Sequence, residues 1–268
     1  MTQGPTFEGL NGVTFNPVRL MFMMGAVWRL SLDRGGRPLE VLEIGSWAGA
    51  SALTFGQALA RHNPAKGRIT CIDPWQPFVD RSINPADIHA SMDDALADGT
   101  IFETFRQNMT HLPAEVRHEV MRGFSDKILP TLPRGSYDLI YIDGDHCYQA
   151  VHRDISNAIH LVADGGILCG DDLELQAHQV NAEIARANPS LDCAYATHLQ
   201  QLYHPGVTLA VGELLGRVTA WEGFWAMRKR GTQWEAVSLE GMPFDIPAHL
   251  PPRALIGLKT YLMKRGIM

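Results

Sequence analysis

Two short clusters hold the residues best able to do chemistry in this 268-residue chain. Asp143-Gly-Asp145-His146 closes the apolar run SYDLIYID, and Asp171-Asp172 closes GGILCGDD about one βα unit later. Gathering four carboxylates and an imidazole at two neighbouring strand ends is costly unless a cation or a proton transfer needs them. Open α/β sheets bind ligands outside the carboxyl ends of their strands, and both clusters fall at such ends. Asp143 and Asp171 would also serve as turn residues or helix caps. Those roles account for one or two of the five residues, not for the set. His146 lies three residues after Asp143, so the turn leaving the strand can aim both at one substrate oxygen. An imidazole with an ordinary pKa near ~6.5 suits a general base at neutral pH. Asp145 either orients that imidazole or caps the helix that begins near Cys147.

The elements that must position these groups follow from periodicity. Residues 16–32 place Leu20, Met23, Met24, Val27 and Leu30 at helical spacing behind Asn16 as cap and Pro17 in the first turn. This Met stripe reads as packing rather than the mouth of a ligand site. Apolar strands then alternate with amphipathic helices: LEVLEIG (39–45), a helix over 50–62, RITCID (68–73), a helix near 101–111, HEVMRG (118–123), YDLIYID (137–143), a helix through YQAVHRDISNAIHLV, and GGILCG (165–170). Five such units predict an α/β fold: a doubly wound, Rossmann-like sheet of about seven strands, mostly parallel. AWEGFWAMRK and TQWEAVSL, split by Arg230-Gly231, predict a closing antiparallel hairpin. Two inserts interrupt the alternation at the ligand-binding edge, near 76–100 and 173–206, where long loops act as lids or substrate walls. His178, His198 and His204 lie in the second insert, within reach of the site. His152 and His160 point away from it by helical spacing. The expected organisation is an N-terminal helical cap (1–37), a main domain (38–240) and an amphipathic tail helix (241–268). That tail is expected to pack on the domain or on a second subunit of a homo-oligomer rather than on a membrane surface.

The first strand ends in Glu43-Ile-Gly45-Ser46-Trp47-Ala48-Gly49. Two glycines let the backbone turn tightly against a ligand, and the following helix offers free N–H groups. The G-x-G-x-x-G that seats a dinucleotide pyrophosphate is absent, which disfavours NAD and FAD. Glu43 suits a cofactor with a cationic or amine-bearing end. Asp73, closing the second strand, is placed to accept both hydroxyls of a ribose.

Composition narrows the classes further. The net charge of −6, with no Lys/Arg block, argues against nucleic acid as a partner. No apolar run approaches the ~20 residues of a membrane span and no leader pattern opens the chain, so a cytoplasmic protein is expected. Cys71, Cys147, Cys169 and Cys193 lack CxxC spacing and read as buried free thiols rather than disulfides or a zinc site.

The ordered set VLEIGSWAGASA, CIDPW, GFSDKILPTLP, DLIYIDGDHCYQAVHRDI and GGILCGDD resembles the class I S-adenosylmethionine-dependent methyltransferases, in particular the small-molecule branch called methyltransferase family 24, over about residues 38–240. The resemblance implies that Glu43, Gly45, Ser46 and Gly49 hold the methionyl part of S-adenosylmethionine and that Asp73 binds its ribose, followed by Pro74 and Trp75. It implies that Gly123, Phe124 and Ser125 lie against adenine. Phe124 and Trp75 would equally serve as core. It also implies that Asp143, Asp171 and Asp172 bind magnesium, as in macrolide-sugar and catechol-type O-methyltransferases. An all-carboxylate set independently favours a hard cation. Asp143 would thus touch both cofactor and metal, and His146 would act as base on a small-molecule or sugar hydroxyl. A cephalosporin-hydroxylase-like relative with another reaction is the alternative, ahead of an NAD-linked oxidoreductase and a non-enzymatic binding module.

Overall fold

The computed structural model describes residues 4–264. Asn16 starts α1 (Pro17–Asp33) by accepting from the N–H groups of Val18 and Arg19, and Pro17 in the first turn has no N–H to leave unpaired. There follow β1 (Leu39–Ile44), α2 (Ala50–His62), β2 (Gly67–Asp73), α3 (Asp87–Ala97), α4 (Thr100–Met109), β3 (Arg117–Arg122), α5 (Ser125–Ile128), β4 (Tyr137–Ile142), α6 (Tyr148–Leu161) and β5 (Val162–Leu173). The remainder comprises α7 (Ala182–Ala187), β6 (Ala194–Ala196), β7 (Gln201–Tyr203), α8 (Pro205–Leu214), β8 (Thr219–Trp221), β9 (Gly223–Arg230), β10 (Gln233–Ala236) and α9 (Pro252–Lys264).

Eight strands form one sheet in the order β10-β9-β5-β4-β1-β2-β3, with β8 also pairing to β9. β1 to β5 run parallel, while β9 is antiparallel to β5 and to both β8 and β10. The expected hairpin is β9–β10. Parallel strands need apolar cover on both faces, and the sheet has it. Leu20, Met23, Met24, Phe55 and Phe105 pack on one side, and Ile155, Leu161, Val207 and Val211 on the other. The Met stripe of α1 is therefore core, each fully buried side chain contributing about 1.5–3 kcal/mol.

Alternation along the strands decides which polar groups meet. Glu43 pairs in register with Cys71 and with Tyr141. Period-two geometry then puts Glu43, Tyr141 and Asp143, with Cys169 and Asp171, on the face covered by α1 and α2. The first insert is not wholly loop, since α3 occupies its second half, and the second carries α7 and the β6–β7 ribbon. β5 outruns the expected Gly170. Its pairing to β9 shifts register between Gly170 and Leu173, a bulge that contains Asp171 and Asp172. Bulges re-aim side chains, and here Asp172 sits at φ +59°. Cys71 and Cys169 are buried as expected, Cys147 is half-buried, and Cys193 on the second insert is exposed, contrary to expectation. The tail helix α9 sets Leu258 and Leu262 against Val18 and Met21 of α1; residues 265–268 of the expected tail lie outside the described residues. Among the described residues no helix is long and apolar enough to cross a membrane.

Candidate active site

The strand order reverses between β1 and β4, and the crevice at their carboxyl ends is the floor of a cavity of about 550 Å³. The two strand ends nearly touch there. Gly45 has φ +85°, and a Cβ on it would lie 2.0 Å from the Asp143 carbonyl oxygen. Only glycine meets both demands. Asp73 then fixes the loop that follows: its carboxylate accepts from the N–H groups of Ser46 (3.0 Å), Trp47 (2.9 Å) and Trp75 (2.6 Å). Trp47 and Trp75 both take positive φ, at 44° and 46°. Such strain persists where the surroundings over-determine it. Burial raises the Asp73 carboxyl, and these three N–H groups oppose the rise. Farther along the wall stand Phe124, 47% exposed, and Ser125, whose hydroxyl donates to Asp154 at 2.6 Å.

At the other end of the cavity lie Asp143, Asp171 and Asp172 with Arg19 of α1. The Tyr141 hydroxyl bridges Asp143 (3.1 Å) and Asp171 (3.0 Å). One Arg19 nitrogen, Nη1, reaches Asp171 at 2.9 Å and Asp172 at 3.3 Å. Burial, then the Asp171 and Asp172 charges, pushes the Asp143 carboxyl well above the usual carboxylate range. Burial likewise lifts Asp171 to about 6, against the pull of Arg19. Asp172 goes the other way. Burial works against its charge, but His146, His204 and Arg19 outweigh it and hold the carboxyl low.

His146 is clamped between two carboxylates, with Nε2 2.9 Å from Asp172 and Nδ1 2.6 Å from Asp192. Desolvation disfavours its charge, yet these two partners raise it well above an ordinary imidazole. Asp192, from the second insert, also bonds His89 of α3 at 2.9 Å, and its N–H donates to Asn84. The two inserts therefore meet over the imidazole. Asp145 takes the capping role instead, accepting from Cys147 N–H. His204 packs edge-on against His146 with ring centroids 4.6 Å apart and bonds Glu174 at 3.0 Å.

Of the residues expected at the site, Gly45, Asp73, Phe124, Ser125, Asp143, His146, Asp171 and Asp172 line the one cavity. Ser46 and Gly49 shape its loop from behind. Gly123 precedes Phe124, and a Cβ on it would meet the Ile128 side chain at 3.1 Å. Trp75 is 1% exposed, wedged between Phe102 and Phe105 with its indole N–H on the Trp47 carbonyl, so it braces the loop from the core. Glu43 is fully buried behind the loop, and neither oxygen has a well-formed hydrogen bond. Sequence reasoning missed Arg19, Asp154, Glu174 and Asp192. Arg19 had a signal, a basic residue between Val18 and Leu20 in an otherwise apolar helical turn. Asp192 had none.

A family model described as a methyltransferase domain matches residues 42–173, from within β1 to the end of β5. That segment, just under half of the chain, resembles a methyltransferase domain. The chain is 28% identical over 187 residues to a catechol O-methyltransferase of Mycobacterium tuberculosis, covering 69% of each chain. It is 28% identical over 173 residues to the uncharacterized protein y4gI of Sinorhizobium fredii, covering 62% of this chain but only 17% of that one. The solved O-methyltransferase NovP shares its fold, with a TM-score of 0.53 at 18% identity over 79% of both chains.

The residues lining the cavity fit an S-adenosyl group. Phe124 presents an exposed aromatic face to the cavity, Asp73 lines it beside the loop that its carboxylate holds, and Glu43 is a buried carboxyl wanting a cationic partner. They do not fit a divalent ion as arranged. Both oxygens of Asp171 and of Asp172 are already taken, by Arg19, Tyr141 and His146. Among the described residues His146, Asp172 and His204 each bring a ligand atom within 4.8 Å of the others. His146 pairs with Asp172 through Nε2 and with Asp192 through Nδ1, and His204 pairs with Glu174 through Nδ1, so the group forms a charge network.

Glu43 yields a stability prediction that needs no ligand. Burial pushes its carboxyl up to about 7 from 4.5, despite the nearby Ser46, Ser51 and Cys71. A raised folded-state pKa stabilises fully below the unfolded value and is lost as pH rises through the folded one. Between pH ~4.5 and ~8 the wild type should lose up to about 3 kcal/mol more than Glu43→Gln, since each tenfold change in proton affinity is worth ~1.4 kcal/mol. Urea unfolding at the two pH values checks this; parallel losses in both proteins would place the titration elsewhere.

Proposed function

We propose that the protein transfers the methyl group of S-adenosylmethionine to a hydroxyl of a small, polyhydroxylated or sugar-like acceptor. The observation that carries the reading is a single cavity with two unlike ends. One has the Asp73-anchored loop and Phe124; the other has an imidazole held by two carboxylates. The catechol O-methyltransferase relative supports oxygen as the acceptor atom. When bound, the cofactor supplies an electrophilic methyl on a sulfonium.

The chain's own residues do the rest. Asp73, Phe124 and the backbone from Gly45 to Gly49 bind and orient the cofactor, with Glu43 opposing its positive charge from behind. Asp143 and Tyr141 join that end of the cavity to the acid cluster. His146 takes the acceptor proton at Nε2 when the acceptor hydroxyl displaces Asp172 from that nitrogen, while Asp192 fixes the ring through Nδ1. The inserts that meet at Asp192 and the segment 12–14 wall the acceptor from water. Magnesium assistance in this site would require Arg19 to leave, and no step depends on it.

Calorimetric titration with S-adenosylmethionine tests the first half. Asp73→Ala should weaken binding by about 1.5–3 kcal/mol, roughly 10- to 150-fold, because a charged acceptor is lost and three N–H groups are released. Unchanged affinity would remove Asp73 from the cofactor site. Incubation with metabolite extracts, followed by a search for products heavier by one methylene, identifies the acceptor.

A further inference from the structure

We infer that Arg19 is the resident cation of the acid cluster, seated where a divalent ion would otherwise be held, so that this site works without a metal. The inference rests on the proposed function only for the site's role; the guanidinium's seat is visible without it.

All three Arg19 nitrogens are engaged. Nε donates to the Glu222 carbonyl at 2.7 Å, Nη1 donates to Asp172 and forms an ion pair with Asp171, and Nη2 donates to Glu174 at 3.3 Å. The seat is built for it. Gly223 has φ +95°, and a Cβ there would lie 2.1 Å from Nη2, so any side chain at 223 would evict the guanidinium. Glu222 beside it holds φ +53°, which turns its carbonyl toward Nε. The β5 bulge supplies the opposite wall by presenting Asp171 and Asp172 together. Val18 and Leu20 are buried on either side of Arg19, and its own side chain is 12% exposed, so it cannot swing into solvent without disturbing α1.

Counting oxygens gives the same answer. Asp171 spends one oxygen on Arg19 and the other on Tyr141, while Asp172 spends one on Arg19 and the other on His146. A hard cation needs several such oxygens at once. It would have to expel a guanidinium that bridges three carboxylates, with Nη1 between Asp171 and Asp172 and Nη2 on Glu174. Arg19 is thus a positioning residue. It fixes Asp172, which faces His146, and supplies the positive charge that keeps Asp171, Asp172 and Glu174 together.

Mn2+ titration followed by electron paramagnetic resonance needs neither acceptor nor cofactor. Wild type and Arg19→Lys should show no saturable uptake at millimolar Mn2+. Arg19→Met, which keeps an apolar stem, should bind at least ~100-fold more tightly, as expected when a positive charge a few ångströms from a dication site is removed. Adding Asp171→Asn to Arg19→Met should abolish the gained site. Micromolar uptake by the wild type that Asp171→Asn removes would overturn the inference. So would a folded Arg19→Met that gains nothing. If Arg19→Met lacks a cooperative thermal transition, the wild type and Arg19→Lys decide. A parallel titration with S-adenosylmethionine separates the two readings: failure to bind it, with the Mn2+ results as expected, would count against the proposed reaction and leave Arg19's role standing.

Discussion

His146→Ala is expected to lose about 10²- to 10⁴-fold in methyl-transfer rate while its affinity for S-adenosylmethionine stays nearly unchanged, the range typical of a removed general base. The position of the pH limb makes the prediction sharper. An imidazole acts as base only in its neutral form, and Asp172 and Asp192 favour the charged form strongly enough to outweigh desolvation. The wild-type rate should therefore rise with pH through an ionisation displaced upward from the ordinary ~6.5, and the variant should lack that limb. His146→Gln keeps polar contact with both carboxylates but cannot take a proton, so it should resemble the alanine variant. Initial rates across pH, with the acceptor found in extract screening, check all three proteins. If His146→Ala keeps both its rate and its pH limb, the imidazole is a bystander and another group removes the proton.

Much of the arrangement around His146 was legible in the sequence, because strand ends announce themselves. The runs ending at Glu43, Asp73, Asp143 and Asp171 are apolar, and period two fixes which of their side chains share a face. That is why Asp143, His146, Asp171 and Asp172 came together as expected from the sequence. What surrounds them was not legible, for a different reason. Arg19 lies 152 residues before Asp171, and Asp192 lies 46 after His146. Their meeting depends on the docking of α1 on the sheet and on the contact between inserts, neither of which has a local period. The bulge was equally hidden, since the strand was expected to end at Gly170 and only the pairing of its extension with β9 reveals the slipped register. The family resemblance filled the gap with magnesium. The structure shows a guanidinium on the same carboxylates. For Trp75 the sequence left two roles open, beside the cofactor or in the core, and burial of its large aromatic surface places its side chain in the core.

Gly45→Ala should be the most damaging change at the cofactor end, costing about 2–5 kcal/mol of stability. Two costs combine there. An L residue in the left-handed region is strained by about 1–2 kcal/mol, and the added methyl would meet the Asp143 backbone carbonyl at 2.0 Å. Backbone cannot rotate aside as a side chain can. Relief therefore requires β1 and β4 to separate at their carboxyl ends, where the Asp143 N–H donates to the Ile44 carbonyl at 2.8 Å. Gly99 provides the control, having φ +80° and open space around its Cα. Gly99→Ala should show the conformational cost alone. The difference between the two variants in urea unfolding measures the collision, and the same samples should show cofactor binding lost only in Gly45→Ala. Equal destabilisation of both, with cofactor affinity intact, would mean that the strand ends yield freely. Gly45 would then be a turn residue with no part in holding the crevice closed.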